Sequence, residues 1–275
     1  MDSFPFVKMN GAGNDFVVVD NRALNLNLTR EHIANLCHRH FGIGADGLLA
    51  VEPSDEASAD FRMRYYNADG GEAEMCGNGA RCFARFVETW SRKEPGRVRF
   101  STQAGIIAGE FVDHQIRVNL TAPTELKFDR EADFGWGSVK FHSINTGVPH
   151  VVIEVPDVEV AEVMALGRAI RYSELFPKGT NVNFVQVADS GELIVRTYER
   201  GVEGETLACG TGVTAAALIM HRVRGLALPL RVKVRGGDTL AVGAVTDNSV
   251  NYGDTFRDVT LTGPATETFS GTVKL

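Results

Sequence analysis

The pattern EMCGNGA at residues 74–80 recurs as LACGTGV at residues 207–213. Each is a Cys-Gly-x-Gly turn that leads into an apolar run, residues 81–87 in the first case and 214–220 in the second. We therefore predict a helix after each turn, with Cys76 and Cys209 at its beginning. The free N–H groups and the positive end of the helix dipole at that place favour a thiolate, so both sulfurs are candidates for acid–base or nucleophilic chemistry. The glycines also let an anionic ligand approach these N–H groups.

The segments around the two turns repeat in the same order along the 275-residue chain. Each half has a glycine turn before a β-branched strand, a helical stretch, a short strand, the Cys-Gly helix and further strands. The first helical stretch begins near Thr29, a good N-cap, and carries Ile33, Leu36 and Cys37 on one face. The second is predicted to begin near Asp157, and its apolar face is expected to consist of four residues: Val160, Val163, Met164 and Ala165.

This order predicts a mixed α/β (α+β) fold of two pseudo-symmetric domains that arose by internal duplication. Each domain is expected to have mostly antiparallel strands around one buried helix. The polar stretch 123–133 is interpreted as the boundary between the halves, and residues 272–275 can add a strand to either half.

Composition and charge narrow the class of protein. The net charge of −7 argues against nucleic acid as a partner, and no apolar run is long enough to span a membrane. The start of the sequence does not resemble a signal peptide. The four cysteines lack metal-site spacing and suit free thiols in a reducing cytoplasm, so we expect no bound metal. Cys37 and Cys82 have no glycine turn beside them and are assigned to packing.

Two thiols from two similar halves that face each other across an interdomain cleft suggest inversion at a carbon centre. One thiolate removes a proton from the carbon, and the opposite thiol delivers a proton to the other face. The carbanion between these steps needs hydrogen-bond donors aimed at the substrate carboxylate, which we assign to the N–H groups of Gly77, Asn78, Gly210 and Thr211. The alternative is that both cysteines are small buried core residues, but a core cysteine needs neither the glycines nor the recurrence.

Four segments, in order, make the sequence resemble the diaminopimelate epimerase family. They are NGAGNDF at 10–16, NADG at 67–70, CGNGARC at 76–82, and ERG at 199–201 with ETLACGTG at 205–212. The resemblance runs the length of the chain. It implies an isomerase of lysine and peptidoglycan precursor biosynthesis that interconverts LL- and meso-2,6-diaminopimelate without pyridoxal phosphate or any other cofactor.

The resemblance also implies roles for individual residues. Cys76 and Cys209 are the paired acid and base, and His150 and Glu199 tune the two thiols. Gly77-Asn78 and Gly210-Thr211 hold the reacting end of the substrate. The residues assigned to the distal amino-acid end are Asn14, Asn67, Asn181, Glu199 and Arg200.

The fold implied by the resemblance is a β-barrel-like sheet around a central helix in each domain, with the last strand returning to the first domain. The expected domains are residues 1–122 with 266–275, and residues 123–265, with the active site in the cleft between them. We expect a cytoplasmic homodimer that acts on a small molecule, with neither nucleic acid nor membrane as a partner.

Two positions depart from the family pattern. Gly47 stands where many relatives have glutamine, and Val148 stands where they have asparagine, so neither receives a binding role.

Other interpretations remain open at this point. A proline or hydroxyproline racemase would use the same two-thiol chemistry, and a thiol redox protein or an anion-binding module are alternatives from other classes. An isomerase of phenazine biosynthesis would share the fold but lacks the cysteine pair. Without the resemblance, His150 is equally a core residue, the asparagines are turn residues, and Glu199 and Arg200 form a solvated ion pair.

Overall fold

The computed structural model describes residues 3–90, 94–247 and 255–274. The chain packs into two compact units, residues 1–119 with 262–275 (unit 1) and residues 120–261 (unit 2). Four parts of the predicted domains lie outside the described residues: 1–2, 91–93, 248–254 and Leu275. No helix in the described ranges is long and apolar enough to cross a bilayer.

The elements of unit 1, in chain order, are β1 (Ser3–Gly11), β2 (Asn14–Asp20), α1 (Arg30–Cys37), β3 (Gly47–Glu52), β4 (Phe61–Asn67), β5 (Glu72–Ala73), α2 (Gly77–Val87) with a 3-10 turn at Glu88–Trp90, β6 (Arg97–Thr102), β7 (Gly105–Val112) and β8 (Gln115–Asn119).

The elements that follow are β9 (Thr124–Asp133), β10 (Ser138–Asn145), β11 (Pro149–Glu154), α3 (Val163–Arg171), β12 (Asn181–Val187), β13 (Leu193–Glu199), β14 (Gly204–Thr206), α4 (Gly210–Arg224), β15 (Leu230–Val234), β16 (Thr239–Asp247), β17 (Thr255–Gly263) and β18 (Thr266–Lys274). Strand β18 belongs to unit 1, where it pairs antiparallel with β1.

The two units have the same strand connections. In unit 1, β2 pairs parallel with β3 and β4 pairs parallel with β6, and the connecting helices are α1 and α2. In unit 2, β11 pairs parallel with β12 and β13 with β15, through α3 and α4. The intervening pairs β3–β4 and β12–β13 are antiparallel. The predicted duplication and mixed α/β class are therefore confirmed. The parallel pairs, which the sequence analysis did not expect, occur where a helix supplies the crossover that parallel strands require.

Each unit has one helix on either face of its central strands. In unit 1, α1 buries Ile33 and Leu36 against Val17, Val19 and Leu48. Helix α2 contacts the strands from the opposite face and is buried along most of its length. Because both faces are covered, every residue of β3 is buried, as in a parallel sheet between helices. Helix α4 occupies the same place in unit 2, and its residues 212–220 are all buried.

Helix α1 begins as the sequence predicts. The Thr29 side chain accepts a hydrogen bond from the His32 N–H at 3.2 Å, and the His32 ring accepts one from the Thr29 N–H. This reciprocal capping box satisfies two N–H groups that the helix cannot satisfy itself.

The predicted start of the second helical stretch at Asp157 is wrong. Helix α3 begins at Val163, and the carboxylate of Asp157 instead accepts from the N–H of Glu159 in a local turn. Val160 is 74% exposed and Met164 52% exposed, so neither is on the buried face. That face consists of Val163, Gly167 and Ile170. Aspartate can hydrogen-bond its own backbone two residues on, and this turn competes with the N-cap that the sequence suggested.

The polar stretch 123–133 is not an open linker. Its residues from Thr124 onward form β9, which pairs antiparallel with β10 in unit 2. Most of its side chains are exposed, which explains why the stretch has no apolar alternation in the sequence.

Candidate active site

Cys76 is the N-cap residue of α2, with extended backbone angles (φ −136°, ψ 123°). Its Sγ lies 3.5 Å from the N–H of Gly79, which donates to the sulfur. A hydrogen bond from the first turn of a helix favours the thiolate over the thiol. Because the side chain is partly exposed, a ligand can reach it.

Cys209 occupies the equivalent place in unit 2 as the N-cap of α4 (φ −120°, ψ 107°). Its Sγ lies 3.5 Å from the hydroxyl oxygen of Thr211, and the residue is 7% exposed. The hydroxyl of Thr146 donates to the Thr211 carbonyl at 3.0 Å and ties the turn to the loop after β10. The predicted placement of both cysteines at helix N-termini is confirmed.

The second glycine of each turn lies close to the side chain of the cysteine. A Cβ atom on Gly79 would lie 3.5 Å from the Cβ of Cys76, and one on Gly212 would lie 3.3 Å from the Cβ of Cys209. The turns differ in their surroundings, because a Cβ on Gly212 would also come within 2.3 Å of the Oδ1 atom of Asn183. Only glycine at position 212 allows this close approach of helix and strand.

Asn14 and Asn78 lie together in unit 1. The Asn78 Nδ2 donates to Asn14 Oδ1, and Asn78 is 1% exposed. Each asparagine has a second partner that the sequence analysis missed. Arg81 donates to Asn78 Oδ1 at 2.8 Å, and Asp46 accepts from Asn14 Nδ2 at 3.1 Å. The signal for Arg81 was present in the sequence, because an arginine within a buried apolar helix requires polar partners.

Asn67 lies at the end of β4 with an exposed side chain. Its backbone closes the following turn with Gly70 and Gly71, and its Oδ1 accepts from the Tyr65 hydroxyl at 2.7 Å. Gly47 is directly opposite Asn67 in the β3–β4 pair. A Cβ on Gly47 would lie 2.8 Å from the Tyr65 ring and 2.4 Å from the Tyr66 carbonyl oxygen. A side chain at 47 is therefore excluded in this arrangement, and the polar group beside Asn67 comes from Tyr65.

His150 is buried on β11 and is held by Asn183. The Asn183 Nδ2 donates to the Val151 carbonyl at 2.9 Å and lies 3.2 Å from the His150 Nδ1. Because a carbonyl oxygen can only accept, this atom of Asn183 is the amide nitrogen, and Nδ1 of His150 accepts from it. The ring proton is therefore on Nε2, which has no hydrogen-bond partner in the part of the chain that the structure describes.

The charge state of His150 follows from its burial. Loss of solvation and, as the smaller cause, the nearby positive charge of Arg200 together lower the pKa of the imidazole to about 3. His150 is thus neutral at physiological pH. Any effect it has on a thiol is that of a hydrogen-bond donor rather than of a cation.

Asn181 and Arg200 are connected through the backbone. The Asn181 Oδ1 accepts from the Arg200 N–H at 2.8 Å, and its Nδ2 donates to the Pro149 carbonyl at 3.1 Å. The Arg200 guanidinium donates to the Lys178 carbonyl at 3.0 Å. Arg200 and His150 both line a cavity of about 350 Å³ in unit 2, whose other charged lining residues are Lys127, Lys178 and Glu125.

Glu199 and Val148 occupy the remaining predicted positions. Glu199 ends β13, and its Oε2 accepts from the Thr206 hydroxyl at 2.8 Å. Val148 has no polar side-chain atom, and its carbonyl accepts from the Thr146 N–H.

Cys37 and Cys82 are buried thiols of a different kind. Burial raises the pKa of each to about 12, so neither forms a thiolate near neutral pH. Cys37 is a buried residue of α1 and Cys82 a buried residue of α2, as the assignment to packing requires.

Comparison with known proteins identifies the family. The family model for diaminopimelate epimerase matches residues 6–125 and 142–255. The chain is 42% identical to the diaminopimelate epimerase of Aquifex aeolicus over 285 residues, covering 97% of this chain and 96% of that protein. It is 41% identical to the diaminopimelate epimerase of Chlorobaculum tepidum over 274 residues, covering 97% of this chain and all of that protein.

Solved structures with the same fold are much more distant in sequence. A hydroxyproline epimerase from Agrobacterium vitis superimposes with a TM-score of 0.75 at 15% identity, covering 99% of this chain and 93% of that one. A phenazine biosynthesis protein of the PhzF family from Bacillus anthracis superimposes with a TM-score of 0.74 at 16% identity over the full length of both chains. These two structures support the fold alone. On the sequence matches, this chain belongs to the diaminopimelate epimerase family.

Proposed function

We propose that this protein interconverts LL- and meso-2,6-diaminopimelate, with Cys76 and Cys209 as the acid–base pair. The observation that carries the proposal is the position of the two sulfurs. Each belongs to the N-cap residue of the buried central helix in its own unit, at equivalent places of a duplicated fold. A thiol redox role is not favoured, because neither cysteine has a partner cysteine in a Cys-x-x-Cys motif.

The reaction requires both sulfurs to reach opposite faces of one α-carbon. One sulfur, as thiolate, takes the α-proton, and the electron pair of the C–H bond stays on the carbon. The other sulfur, as thiol, gives its proton to the opposite face, so the configuration is inverted and the enzyme ends with the two protonation states exchanged. The reverse reaction uses the same two groups with their roles exchanged.

The carbanion is the difficult species, because an amino-acid α-hydrogen is a very weak acid. We assign its stabilisation to the N–H groups of Gly77, Asn78, Gly210 and Thr211, directed at the substrate carboxylate. A preorganised donor of this kind contributes about 3–4 kcal/mol to transition-state stabilisation. The helix dipole changes the energy of each thiolate by only about 0.3–2 kcal/mol. The donors therefore dominate, and the dipoles mainly set the protonation of the sulfurs.

The remaining predicted residues complete the proposal. Asn14, Asn67, Asn181, Glu199 and Arg200 bind the distal amino-acid end, and His150 and Glu199 tune the thiols. The guanidinium of Arg200 suits a carboxylate, since it donates charge-assisted hydrogen bonds, and the N–H of the neutral His150 can donate to a thiolate. For a substrate with one charged end, this second set of polar groups would have no purpose.

The experiment is proton NMR of LL-diaminopimelate in D₂O with the purified protein and no added cofactor. We expect the meso isomer to appear with deuterium at one α-carbon. With Cys76→Ala or Cys209→Ala we expect neither the meso isomer nor the incorporation of deuterium. Exchange on proline but not on diaminopimelate would keep the two-thiol chemistry and refute the substrate. No exchange on either compound would refute the proposed reaction.

We further propose that the enzyme works as a homodimer in the cytoplasm, in lysine and peptidoglycan precursor biosynthesis. The proposed reaction needs both sulfurs in reduced form, which supports a reducing compartment. Light scattering during size exclusion at micromolar concentration would give the mass in solution, and a mass of one chain would refute the dimer.

A further inference from the structure

We propose that Asp46 and Arg81 are positioning residues, which hold the amides of Asn14 and Asn78 in one orientation for the substrate. This inference rests on the proposed function, because it deepens the role of two candidate binding residues. Neither Asp46 nor Arg81 belongs to the predicted site.

The four side chains form one continuous chain of hydrogen bonds within unit 1. Arg81 Nη2 donates to Asn78 Oδ1 at 2.8 Å. Asn78 Nδ2 donates to Asn14 Oδ1, and Asn14 Nδ2 donates to Asp46 Oδ2 at 3.1 Å. Every amide oxygen therefore faces the arginine end, and every amide nitrogen faces the aspartate end.

The chemistry of the two ends permits only this direction. A guanidinium can only donate hydrogen bonds, and an ionised carboxylate can only accept them. If Asn78 were rotated by half a turn about its last bond, its NH₂ group would face the N–H groups of Arg81. If Asn14 were rotated, its carbonyl oxygen would face the carboxylate of Asp46. Each asparagine alone could adopt either orientation, but the chain as a whole cannot.

The arginine end is fixed independently of any ligand. Arg81 is fully buried, and it also donates to the Pro264 carbonyl at 3.2 Å and to the Gly77 carbonyl at 3.4 Å. Pro264 follows β17, and Gly77 is the first residue of α2. The guanidinium is thus held by backbone groups on both sides while it orients Asn78.

The aspartate end is fixed as well. Asp46 Oδ2 accepts from the Asp15 N–H at 3.2 Å, and its Oδ1 accepts from Arg39 at 2.7 Å. Arg39 also pairs with the carboxylate of Asp15, which in turn pairs with the buried Lys8 at 2.9 Å. These contacts hold the carboxylate of Asp46 in place beside Asn14.

The locked chain leaves defined groups for the substrate. Within the described ranges, the partly exposed Asn14 keeps one amide hydrogen and one oxygen lone pair beyond this chain, in fixed directions, and the buried Asn78 orients it. A ligand that fits these directions does not have to order the two side chains when it binds, so preorganisation strengthens its binding.

The test compares Asp46→Ala with Asp46→Asn in the α-proton exchange assay on diaminopimelate. Both variants remove the charge, but asparagine keeps an oxygen that can accept from Asn14. We expect Asp46→Ala to raise KM about tenfold, the loss of roughly one oriented hydrogen bond, and Asp46→Asn to raise it no more than about threefold. The control is Arg22→Gln, which removes a surface ion pair to Asp20 in the same unit and is not part of the asparagine chain, and we expect wild-type KM.

A double-mutant cycle with Asn14→Ala separates positioning from general structure. If Asp46 acts through Asn14, Asp46→Ala changes KM no further in the Asn14→Ala background. Equal effects of Asp46→Ala and Asp46→Asn, or an undiminished effect in that background, would overturn the inference. If Asp46→Ala does not fold, Asp46→Ser replaces it, since its hydroxyl is too short to reach Asn14. Absence of exchange by the wild-type protein would instead refute the proposed function.

Discussion

The two Cys-Gly-x-Gly turns offer a matched pair of substitutions, Gly212→Ala and Gly79→Ala. The two glycines hold the same position in the first turns of α4 and α2. They differ in the space around them. A Cβ on Gly79 meets a terminal methyl group of Leu49 at 3.3 Å, whereas one on Gly212 meets the Oδ1 of Asn183 at 2.3 Å. We therefore expect Gly212→Ala to be clearly destabilising and Gly79→Ala to be nearly neutral.

The magnitude follows from the hydrogen bond that Asn183 loses when it moves. Its Oδ1 has to move by about 1 Å to restore ordinary contact, which breaks the hydrogen bond from the Thr197 hydroxyl, now 2.9 Å long. Asn183 is fully buried, so the lost bond costs about 1–3 kcal/mol, and the forced shift costs about 1–3 kcal/mol more. The better helix propensity of alanine offsets about 1 kcal/mol. The expected net cost for Gly212→Ala is therefore about 3 kcal/mol, within a range of about 1–5 kcal/mol, whereas Gly79→Ala should lie within about 1 kcal/mol of zero.

Chemical denaturation followed by circular dichroism measures the free energy of unfolding of both variants, and thermal unfolding gives their melting temperatures. The exchange assay measures the effect on the site. At about 2–4 °C per kcal/mol, Gly212→Ala should lower the melting temperature by about 5–15 °C. Gly212→Ala should also reduce exchange, because Asn183 fixes His150. A Gly212→Ala protein as stable as Gly79→Ala would show that Asn183 does not constrain the turn, and the reasoning would be refuted.

Three further predictions concern side chains in or beside the candidate site. Tyr65→Phe removes the hydroxyl that donates to Asn67, so KM for diaminopimelate should rise about three- to tenfold while the melting temperature stays the same. An unchanged KM would exclude a role for this hydroxyl. Burial holds the pKa of His150 near 3, below the unfolded value of 6.5. Between these pH values the unfolded chain therefore binds more protons than the folded chain, and the stability of the folded protein falls as pH drops from 6.5 towards 3. The stability difference between wild type and His150→Asn should therefore change over that pH range in urea titrations, and a constant difference would contradict the assigned neutral state. Burial raises the pKa of Asp15, but hydrogen bonds from Arg39 and Lys8 outweigh this effect and hold the pKa at about 2. The contribution of Asp15 to stability is therefore present above pH 3.8 and is lost as pH falls towards 2. Asp15→Asn removes the carboxylate partner of buried Lys8 and should cost about 3–5 kcal/mol at pH 7, measured by urea denaturation; a loss below 1 kcal/mol would show that the pair is unimportant.

The elements that could be predicted from the sequence are those specified by local chemistry. Thr29 caps α1 with the residue three positions on, and Cys76 and Cys209 begin helices because glycine turns and apolar runs are adjacent to them. The duplication was visible for the same reason, since each repeated segment contains its own turn and strand signals. The start of α3 could not be predicted, because Asp157 has two local uses and only tertiary packing selects between them.

The supporting part of the candidate site could not be predicted, because its members are far apart in the sequence. Asp46 is 32 residues from Asn14, and Arg81 is 183 residues from Pro264. No local periodicity marks such pairs, which depend on strand register and on the return of the last strand. The same holds for the contact between Asn183 and Gly212, which arises where α4 crosses β12.

The pairing of β1 with β18 has a consequence for how the protein is made. Residues 120–261 form a continuous unit, so it can fold as soon as they have left the ribosome. The unit that starts first contains the N-terminal strand but needs residues 262–275 to pair with that strand and to supply the Pro264 carbonyl to Arg81. The half of the chain synthesised first is therefore completed last, and deletion of residues 262–275 should impair the Cys76 turn while leaving the Cys209 turn intact.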